Sequence, residues 1–229
     1  MRLSQTLVLI GGFAIHLYNG CLYLWGSIAP YVISYFYHFG GKDGQGQPEV
    51  SMYDSVTVIP ILISVMAFSN PTGAFLFKVV PAKIMVGIGS LLGVIAFAVS
   101  ASAQTFLQYI ICFSILYGFG IGMGYFTPLA CGWEWMPERK GLVTGVILGA
   151  FGFGAFIFNF VAQAIVNPEN VQPVELSDGR LYYAPEIAER VPKLVYVLAV
   201  CFGGLGLISV LFTRRNPAAV ELQETENAD

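Results

Sequence analysis

Residues Ile84–Trp133 read IMVGIGSLLGVIAFAVSASAQTFLQYIICFSILYGFGIGMGYFTPLACGW, and these fifty consecutive residues contain no Asp, Glu, Lys, Arg or His. A helix needs about 20 predominantly apolar residues to cross the hydrocarbon core of a bilayer. The stretch is long enough for two such helices. It therefore predicts two membrane spans joined by a tight turn.

Apolar stretches of similar length flank this one on both sides. The six predicted spans are Leu7–Tyr35, Val56–Phe77, Ile84–Ser102, Phe106–Leu129, Leu142–Val166 and Leu194–Phe212. We therefore predict an all-α, multi-pass membrane protein, with a six-helix bundle over 1–213 and a polar, acidic tail over 214–229. The first stretch is too long for the core of a signal peptide, so we expect it to remain in the mature protein.

The composition excludes several classes of protein. Hydrophobic residues make up 56% of the 229-residue chain and charged residues 11%, whereas soluble domains carry about 25% charged residues. The net charge of −3 argues against nucleic acid as a partner. The four cysteines form no CxxC pair and are expected to be buried hydrophobes, so no metal or other cofactor is predicted.

No arrangement of residues indicates an enzyme. The two histidines, His16 and His38, lie far apart in the sequence, and no serine or cysteine has an evident base beside it. A phosphate-binding loop of the Walker type is also absent from the sequence, which argues against ATP-driven pumping.

The loops indicate an orientation. With six spans both termini lie on one side, and that side collects more Lys and Arg than the other. Both termini are therefore predicted to face the cytosol or an equivalent compartment. On the opposite side, the turn signal Ser177-Asp178-Gly179 between two short β-prone runs predicts a small hairpin.

Glycines follow helical spacing on the fourth and fifth spans. Gly118 and Gly122 are four residues apart, and Gly141, Gly145 and Gly149 form a ladder with the same step. Small residues at this spacing allow helices in lipid to pack closely. Such contacts occur between helices that slide against each other and also in static, close-packed bundles. The sequence does not distinguish these two interpretations.

A polar stripe runs along the first span. Gly12, His16, Asn19 and Tyr23 follow at steps of four, three and four residues, which places them on one face of a helix. One interpretation is the wall of a substrate cavity in which His16 binds a carboxylate. The other is an interhelical hydrogen bond that fixes packing, because polar groups in hydrocarbon need partners.

Two tyrosines of the fourth span, Tyr117 and Tyr125, extend the candidate cavity. Their hydroxyl groups could donate hydrogen bonds to a carboxylate, although aromatic residues on helices also serve as packing groups. The first and fourth spans share a similar spacing. Leu17-Tyr18 precedes Pro30 by about the distance that Leu116-Tyr117 precedes Pro128.

Three sequence blocks carry a resemblance to a known family. They are Gly20-Cys-Leu-Tyr-Leu-Trp-Gly26-Ser-Ile-Ala-Pro30-Tyr, Trp133-Glu-Trp-Met-Pro137-Glu-Arg139-Lys140-Gly141-Leu-Val-Thr-Gly145, and Asn167-Pro168-Glu-Asn170 with the Tyr183–Lys193 segment that follows. Together they resemble the major facilitator superfamily, in its oxalate/formate-antiporter-like branch, which is related to monocarboxylate transporters. In that resemblance Arg139 and Gly141 belong to the loop between the fourth and fifth spans.

The resemblance implies a family fold of twelve helices in two halves, each a 3+3 inverted repeat, with substrate between the halves. This chain resembles the first half only, and the cations that the oxalate-type branch uses to hold its anion belong to the second. The chain also departs from the family motif between the second and third spans, because Phe77 replaces the acidic residue and Val80 replaces a glycine.

Two functions remain open. The chain is either half of a carrier for a small mono- or dicarboxylate, working by alternating access, or a transport-inactive relic that serves as a structural subunit of a larger membrane complex. Both require a partner, a second six-helix half or other membrane subunits, besides the lipid bilayer. The membrane is the plasma membrane or that of an organelle, such as the mitochondrial inner membrane.

Overall fold

A computed structural model describes residues 2–42, 48–176 and 179–226, and within them six helical segments are long and apolar enough to cross a membrane. They are Leu3–Phe39, Met52–Leu76, Ala82–Ser100, Phe106–Trp135, Pro137–Val166 and Pro185–Phe212. The prediction of an all-α membrane protein with six spans is confirmed. We call these segments the first to the sixth span.

Most of the helices run past the apolar stretches that predicted them. The first span begins at Leu3 and ends at Phe39, and the fourth continues to Trp135. The predicted limits, Leu7–Tyr35 and Phe106–Leu129, follow hydropathy, which falls where a helix leaves the hydrocarbon. Hydrogen bonding of the helix backbone continues beyond that point into the polar interface.

Two spans are not regular α-helices throughout. The first joins helices Leu3–Asn19 and Trp25–Phe39 through the 3₁₀ segment Gly20–Leu24. The fourth begins as Phe106–Tyr109, continues as the π-helical segment Ile110–Tyr117 and ends as Gly118–Trp135. The remaining helical segments are 3₁₀ Met52–Thr57 with α Val58–Leu76, α Ala82–Ser100, 3₁₀ Pro137–Arg139 with α Lys140–Val166, α Pro185–Ala188 with α Val191–Phe212, and α Pro217–Glu226.

The first span lies at the centre of the bundle and packs against the fourth, fifth and sixth. The third span contacts the fourth and sixth, and the second contacts the fourth. Of the most apolar 18 residues in each span, 72% are buried in the first, 28% in the fifth and 17% in the second. The second and fifth spans are therefore peripheral.

Aromatic rings fill the contact between the central spans. The Tyr18 ring lies 4.6 Å from that of Phe202 and 5.5 Å from that of Tyr117, and Phe97 lies 4.8 Å from Phe202. Gly93 on the third span makes room for Tyr18, because a Cβ there would overlap the Tyr18 hydroxyl group.

Hydrogen bonds join the chain termini and the fourth–fifth loop at one end of the bundle. Gln5 donates to the Trp135 carbonyl (3.1 Å), the Trp135 indole donates to the Arg214 carbonyl (2.9 Å), and Arg214 donates to Ser4 (2.8 Å). We call this the inner end, following the predicted orientation.

The predicted hairpin is present at the opposite, outer end. Strands β1 (Val174–Glu175) and β2 (Leu181–Tyr182) pair antiparallel, with Val174 opposite Tyr182. The following residue docks on the first span, since Tyr183 N donates to Ser34 (2.9 Å) and its carbonyl accepts from His38 Nε2 (2.9 Å). Residues 177–178 of the predicted turn, and 227–229 of the predicted tail, lie outside the described residues.

The tail begins with a short helix, Pro217–Glu226, held at the inner end. Glu134 forms an ion pair with Arg215 (2.7 Å) and accepts a hydrogen bond from Asn216 N (3.0 Å). The Arg215 guanidinium also lies over the Phe77 ring, 4.8 Å from its centroid. Phe77 thus packs beneath an arginine whose carboxylate partner comes from the fourth span.

We expect Glu134→Ala to release this helix. The substitution removes a carboxylate that is largely buried (15% exposed), and the loss of charge-assisted hydrogen bonds of this kind costs about 1–3 kcal/mol. The melting temperature in detergent should fall, and limited proteolysis should cut within 217–226 faster than in the wild type. Glu138→Ala, at an exposed position just beyond the end of the fourth span, is the control. Equal cleavage of the two variants would show that Glu134 does not hold the helix.

Candidate functional site

The described residues contain no group of three metal-ligating side chains, and the polar groups of interest lie on the first span. His16 is fully buried, and its Nδ1 lies 3.1 Å from the Gly12 carbonyl oxygen. Because a carbonyl can only accept, Nδ1 carries the proton of the neutral ring. Nε2 is then an acceptor, and it has no hydrogen-bond partner among the described residues.

Two aromatic rings contact His16, and a third extends the cluster. The Tyr125 ring of the fourth span lies 4.9 Å from the imidazole, and the Phe151 ring of the fifth lies 6.3 Å from it. Tyr23 and Tyr125 each contact Phe151 edge-on at 5.6 Å. Tyr23 is 55% exposed, so the cluster of Tyr23, Phe151 and Tyr125 reaches from the buried His16 to the surface. We call these three residues the aromatic layer.

Asn19 lies one helical turn beyond His16 and is also buried. Its amide nitrogen Nδ2 has no hydrogen-bond partner in the described part of the chain. The regular helix ends at this residue, and the 3₁₀ segment Gly20–Leu24 follows. The buried polar side chains of His16 and Asn19 therefore lie next to the point where the first span changes from α-helix to 3₁₀ helix.

Tyr117, the other tyrosine of the candidate cavity, contacts the first span. It is fully buried, and its hydroxyl group donates to the carbonyls of Tyr18 (2.9 Å) and Asn19 (3.2 Å). It satisfies backbone groups where the first span changes from α to 3₁₀ geometry. Tyr117 itself ends the π-helical segment of the fourth span. Two irregular segments thus meet at membrane depth, where transporters form their sites from interrupted helices.

Close backbone approach positions His16 between its neighbours. An added Cβ at Gly20 would overlap the Phe151 carbonyl oxygen, and one at Gly154 would overlap the Leu17 carbonyl oxygen. These two glycines bring the fifth span against the first and place Phe151 beside His16. The sequence analysis missed Phe151, because one phenylalanine among several on an apolar helix carries no distinguishing signal.

The four glycines predicted to pack helices divide into two pairs. A Cβ on Gly118 would lie 2.7 Å from the Leu62 carbonyl oxygen, and one on Gly122 2.6 Å from that of Met66, so the second span packs directly on both. Gly145 and Gly149 have no atom of the described residues within 4 Å of such a Cβ. Their predicted packing is therefore not with a helix in the described part of this chain.

The loop residues of the resemblance lie at the inner end. Arg139 closes the 3₁₀ turn Pro137–Arg139 and is exposed. Gly141 is exposed in the first turn of the long helix of the fifth span, with open space around it. Neither residue is near His16 in the sequence or in the bundle, since His16 lies about 20 Å along its helix from the inner end at 1.5 Å per residue.

The outer end carries a second set of polar contacts. Tyr31 donates to Gln163 Oε1 (3.1 Å), and its ring lies 4.3 Å from that of Tyr183. Burial, together with the hydrogen bond to Tyr31, raises the pKa of Tyr183 to about 12. Tyr183 therefore stays neutral at physiological pH, and this cluster joins the fifth–sixth loop to the first span.

Comparison with known proteins gives an independent indication of function. No family model matches the chain. It is 27% identical to apicoplast pyruvate carrier 1 of Toxoplasma gondii, over 88% of this chain and 44% of that protein. It is 22% identical to the probable transporter MCH2 of Saccharomyces cerevisiae (strain ATCC 204508 / S288c), over 65% of this chain and 31% of that protein.

A shorter match, 30% identical over 79 residues, is with the uncharacterized MFS-type transporter YhjX of Escherichia coli (strain K12), covering 34% of this chain and 19% of that protein. The chain spans less than half the length of each of these three relatives. The six-span fold and the relatives together support a membrane transporter.

Proposed function

We propose that this chain is one six-helix half of a major-facilitator-type carrier, in the branch related to monocarboxylate transporters, that moves a small carboxylate by alternating access. The observation that carries the proposal is His16, buried against Tyr125 and Phe151 where the first, fourth and fifth spans meet, with the buried Asn19 one helical turn further on. A recognition site of this kind combines an apolar wall with a few polar groups that fix orientation. The name of the Toxoplasma relative favours pyruvate as the first substrate to test.

The low burial of two spans supports the presence of a second six-helix half that covers them. In an isolated bundle the second and fifth spans are the least covered, and the fifth presents Gly145, Gly149 and Gly152 in open space. Small residues on an uncovered helix face suit close contact with another helix in lipid. A second six-helix unit on these two spans would enclose the face that carries the aromatic layer.

A structural role is the alternative, and two observations favour it. Phe77 occupies the position of the family motif's acid, and His16 is fully closed off from the surface. In this role the chain would be a transport-inactive subunit of a larger membrane complex. His16 would then be a packing residue.

The test is uptake by the native assembly. The tagged chain is purified with its partners from its own membranes, its native mass is measured, and labelled pyruvate uptake is followed after reconstitution. Phe151→Ala removes the ring that joins Tyr23 to Tyr125, and aromatic pairs contribute about 0.5–1.5 kcal/mol each, so we expect uptake to fall at least about fivefold. Val200→Ala, an exposed residue of the sixth span, should leave uptake unchanged.

The two functions predict opposite results. Uptake by a particle of twelve facilitator-type helices would exclude the structural role. A much larger particle that takes up neither pyruvate nor another mono- or dicarboxylate would exclude transport.

A further inference from the structure

A cleft of about 520 Å³ lies at the inner end of the bundle, where the start of the first span meets the end of the fourth and the start of the fifth. Its lining includes two arginines, Arg2 and Arg139, and one acid, Glu138. The proposed transport site around His16 uses none of these side chains. The cleft is therefore a separate feature of the molecule.

Hydrogen bonds fix the wall of the cleft. Gln5 Oε1 accepts from Arg2 N (2.8 Å), and Gln5 Nε2 donates to the Trp135 carbonyl (3.1 Å). The Trp135 indole donates to the Arg214 carbonyl (2.9 Å), and the Arg214 guanidinium lies over its ring, 5.5 Å from the centroid. The backbone that carries Arg2 and the end of the fourth span, which leads to Arg139, are therefore held together.

Arg2 and Arg139 differ from the two arginines that follow the sixth span. The side chains of Arg214 and Arg215 both bind partners in the bundle. The side chains of Arg2 and Arg139 form no hydrogen bond or ion pair with the residues that the structure describes, even though Glu138 lines the same cleft. A guanidinium has five N–H donors in a planar fork that suits the oxygens of an anion. Two such forks on one cleft indicate an anion-binding site.

Charge and depth indicate which anion fits. The ionisable side chains that line the cleft are two arginines and one glutamate, so their charges sum to +1. A phosphodiester carries a single negative charge, whereas a phosphate monoester carries about 1.5 to 2 at neutral pH. Tryptophan residues at the ends of membrane spans, such as Trp135, lie at the level of the lipid headgroups. The phosphodiesters of lipids lie at the same level.

We propose that the cleft binds a singly charged phosphate group, that of a membrane lipid, between the guanidinium groups of Arg2 and Arg139. The two side chains donate hydrogen bonds to its free oxygens, and Glu138 opposes the entry of a second negative charge. Arg2 precedes the first span, and Arg139 precedes the long helix of the fifth. A bound phosphate therefore bridges these two spans at the inner end and stabilises the bundle.

The test is the melting temperature of the purified assembly, washed free of native lipid with detergent, as lipid is added back. Dioctanoyl phosphatidylglycerol is the probe, and dioctanoylglycerol, which has the same acyl chains without the phosphate, is its control. The titration is done in about 0.15 M salt, where attraction between exposed charges more than about 8 Å apart is largely screened. We expect phosphatidylglycerol to raise the melting temperature. Dioctanoylglycerol and inorganic phosphate, the soluble source of the same group, should leave it unchanged.

Variants assign the effect to the cleft. Arg2→Gln and Arg139→Gln change exposed positions, so folding is preserved. Each should raise the half-maximal concentration of phosphatidylglycerol about fivefold, the effect of one basic residue beside an anionic lipid headgroup. Glu138→Gln removes the opposing charge and should lower that concentration. Lys83→Gln, which removes an exposed cation at the start of the third span, is the matched control and should leave it unchanged.

The outcomes separate the site from its ligand. Stabilisation by phosphatidylglycerol that is weakened in both arginine variants, but not in Lys83→Gln, would support the proposal. Equal stabilisation by dioctanoylglycerol, or an equal weakening in Lys83→Gln, would overturn the site. Equal stabilisation by inorganic phosphate, weakened in the arginine variants, would support the anion site and overturn its lipid source. No stabilisation by any of the three probes would overturn both. These measurements require no transport activity.

Discussion

Gly20→Ala should prevent the first and fifth spans from packing, and we expect little folded protein to be recovered. The new methyl group would overlap the Phe151 carbonyl oxygen, which belongs to a helix backbone and cannot move aside as a flexible side chain can. Overpacking of this kind costs about 1–3 kcal/mol and more where backbone must shift. Gly154→Ala, which meets the Leu17 carbonyl oxygen from the opposite helix, should have the same effect.

The measurement is the yield of monodisperse protein from detergent, followed by its melting temperature. Gly26→Ala is a matched control on the same span, because no atom of the described residues lies within 4 Å of a Cβ placed there. If Gly20→Ala melted at the temperature of Gly26→Ala, the close approach of the two spans would not occur in the membrane.

Gly145→Leu and Gly149→Leu should leave the chain folded and remove its partner. Both side chains would project into open space on the fifth span, so packing within the chain is unaffected. A bulky residue there would push away any helix that docks on the ladder. A loss of at least about 1.4 kcal/mol at this contact corresponds to a tenfold or greater loss of co-purified partner.

Co-purification from native membranes and melting temperature are measured together for these variants. Leu148→Ala, next to the ladder and half-buried, is the control and should retain the partner. Unchanged recovery of the partner with Gly145→Leu and Gly149→Leu would show that the ladder faces lipid. A fall in melting temperature with unchanged recovery would place the ladder inside the bundle instead.

Hydropathy was sufficient to predict the number of spans, because a helix that faces both lipid and other apolar helices is hydrophobic on all sides. It could not predict the helix ends, since Phe39 and Trp135 lie where polar surroundings begin but hydrogen bonding of the backbone continues. It also could not predict the 3₁₀ and π-helical segments. Tyr117, at the end of the π-helical segment, donates to a carbonyl next to the 3₁₀ segment almost a hundred residues away, and hydropathy does not report such a contact.

The candidate site was predicted in part. Helical spacing placed His16, Asn19 and Tyr23 on one face, and the structure brings His16, Tyr23 and Tyr125 around one point. Their common neighbour Phe151 depends on how two helices pack, and sequence spacing on one helix does not report that. The same applies to Glu134 and Arg215, whose ion pair joins the fourth span to the tail.

The hydrogen bonds at the two ends of the bundle have a mechanical consequence. At the inner end Trp135 and Arg214 connect the N-terminus, the fourth–fifth loop and the tail, and at the outer end Tyr183 fastens the hairpin to the first span. These bonds join the first span to the fourth and sixth at the inner end and to the fifth–sixth loop at the outer end, so we expect these parts of the bundle to move together. If the chain rocks against a partner in the membrane, we expect the motion to occur at the less buried second and fifth spans.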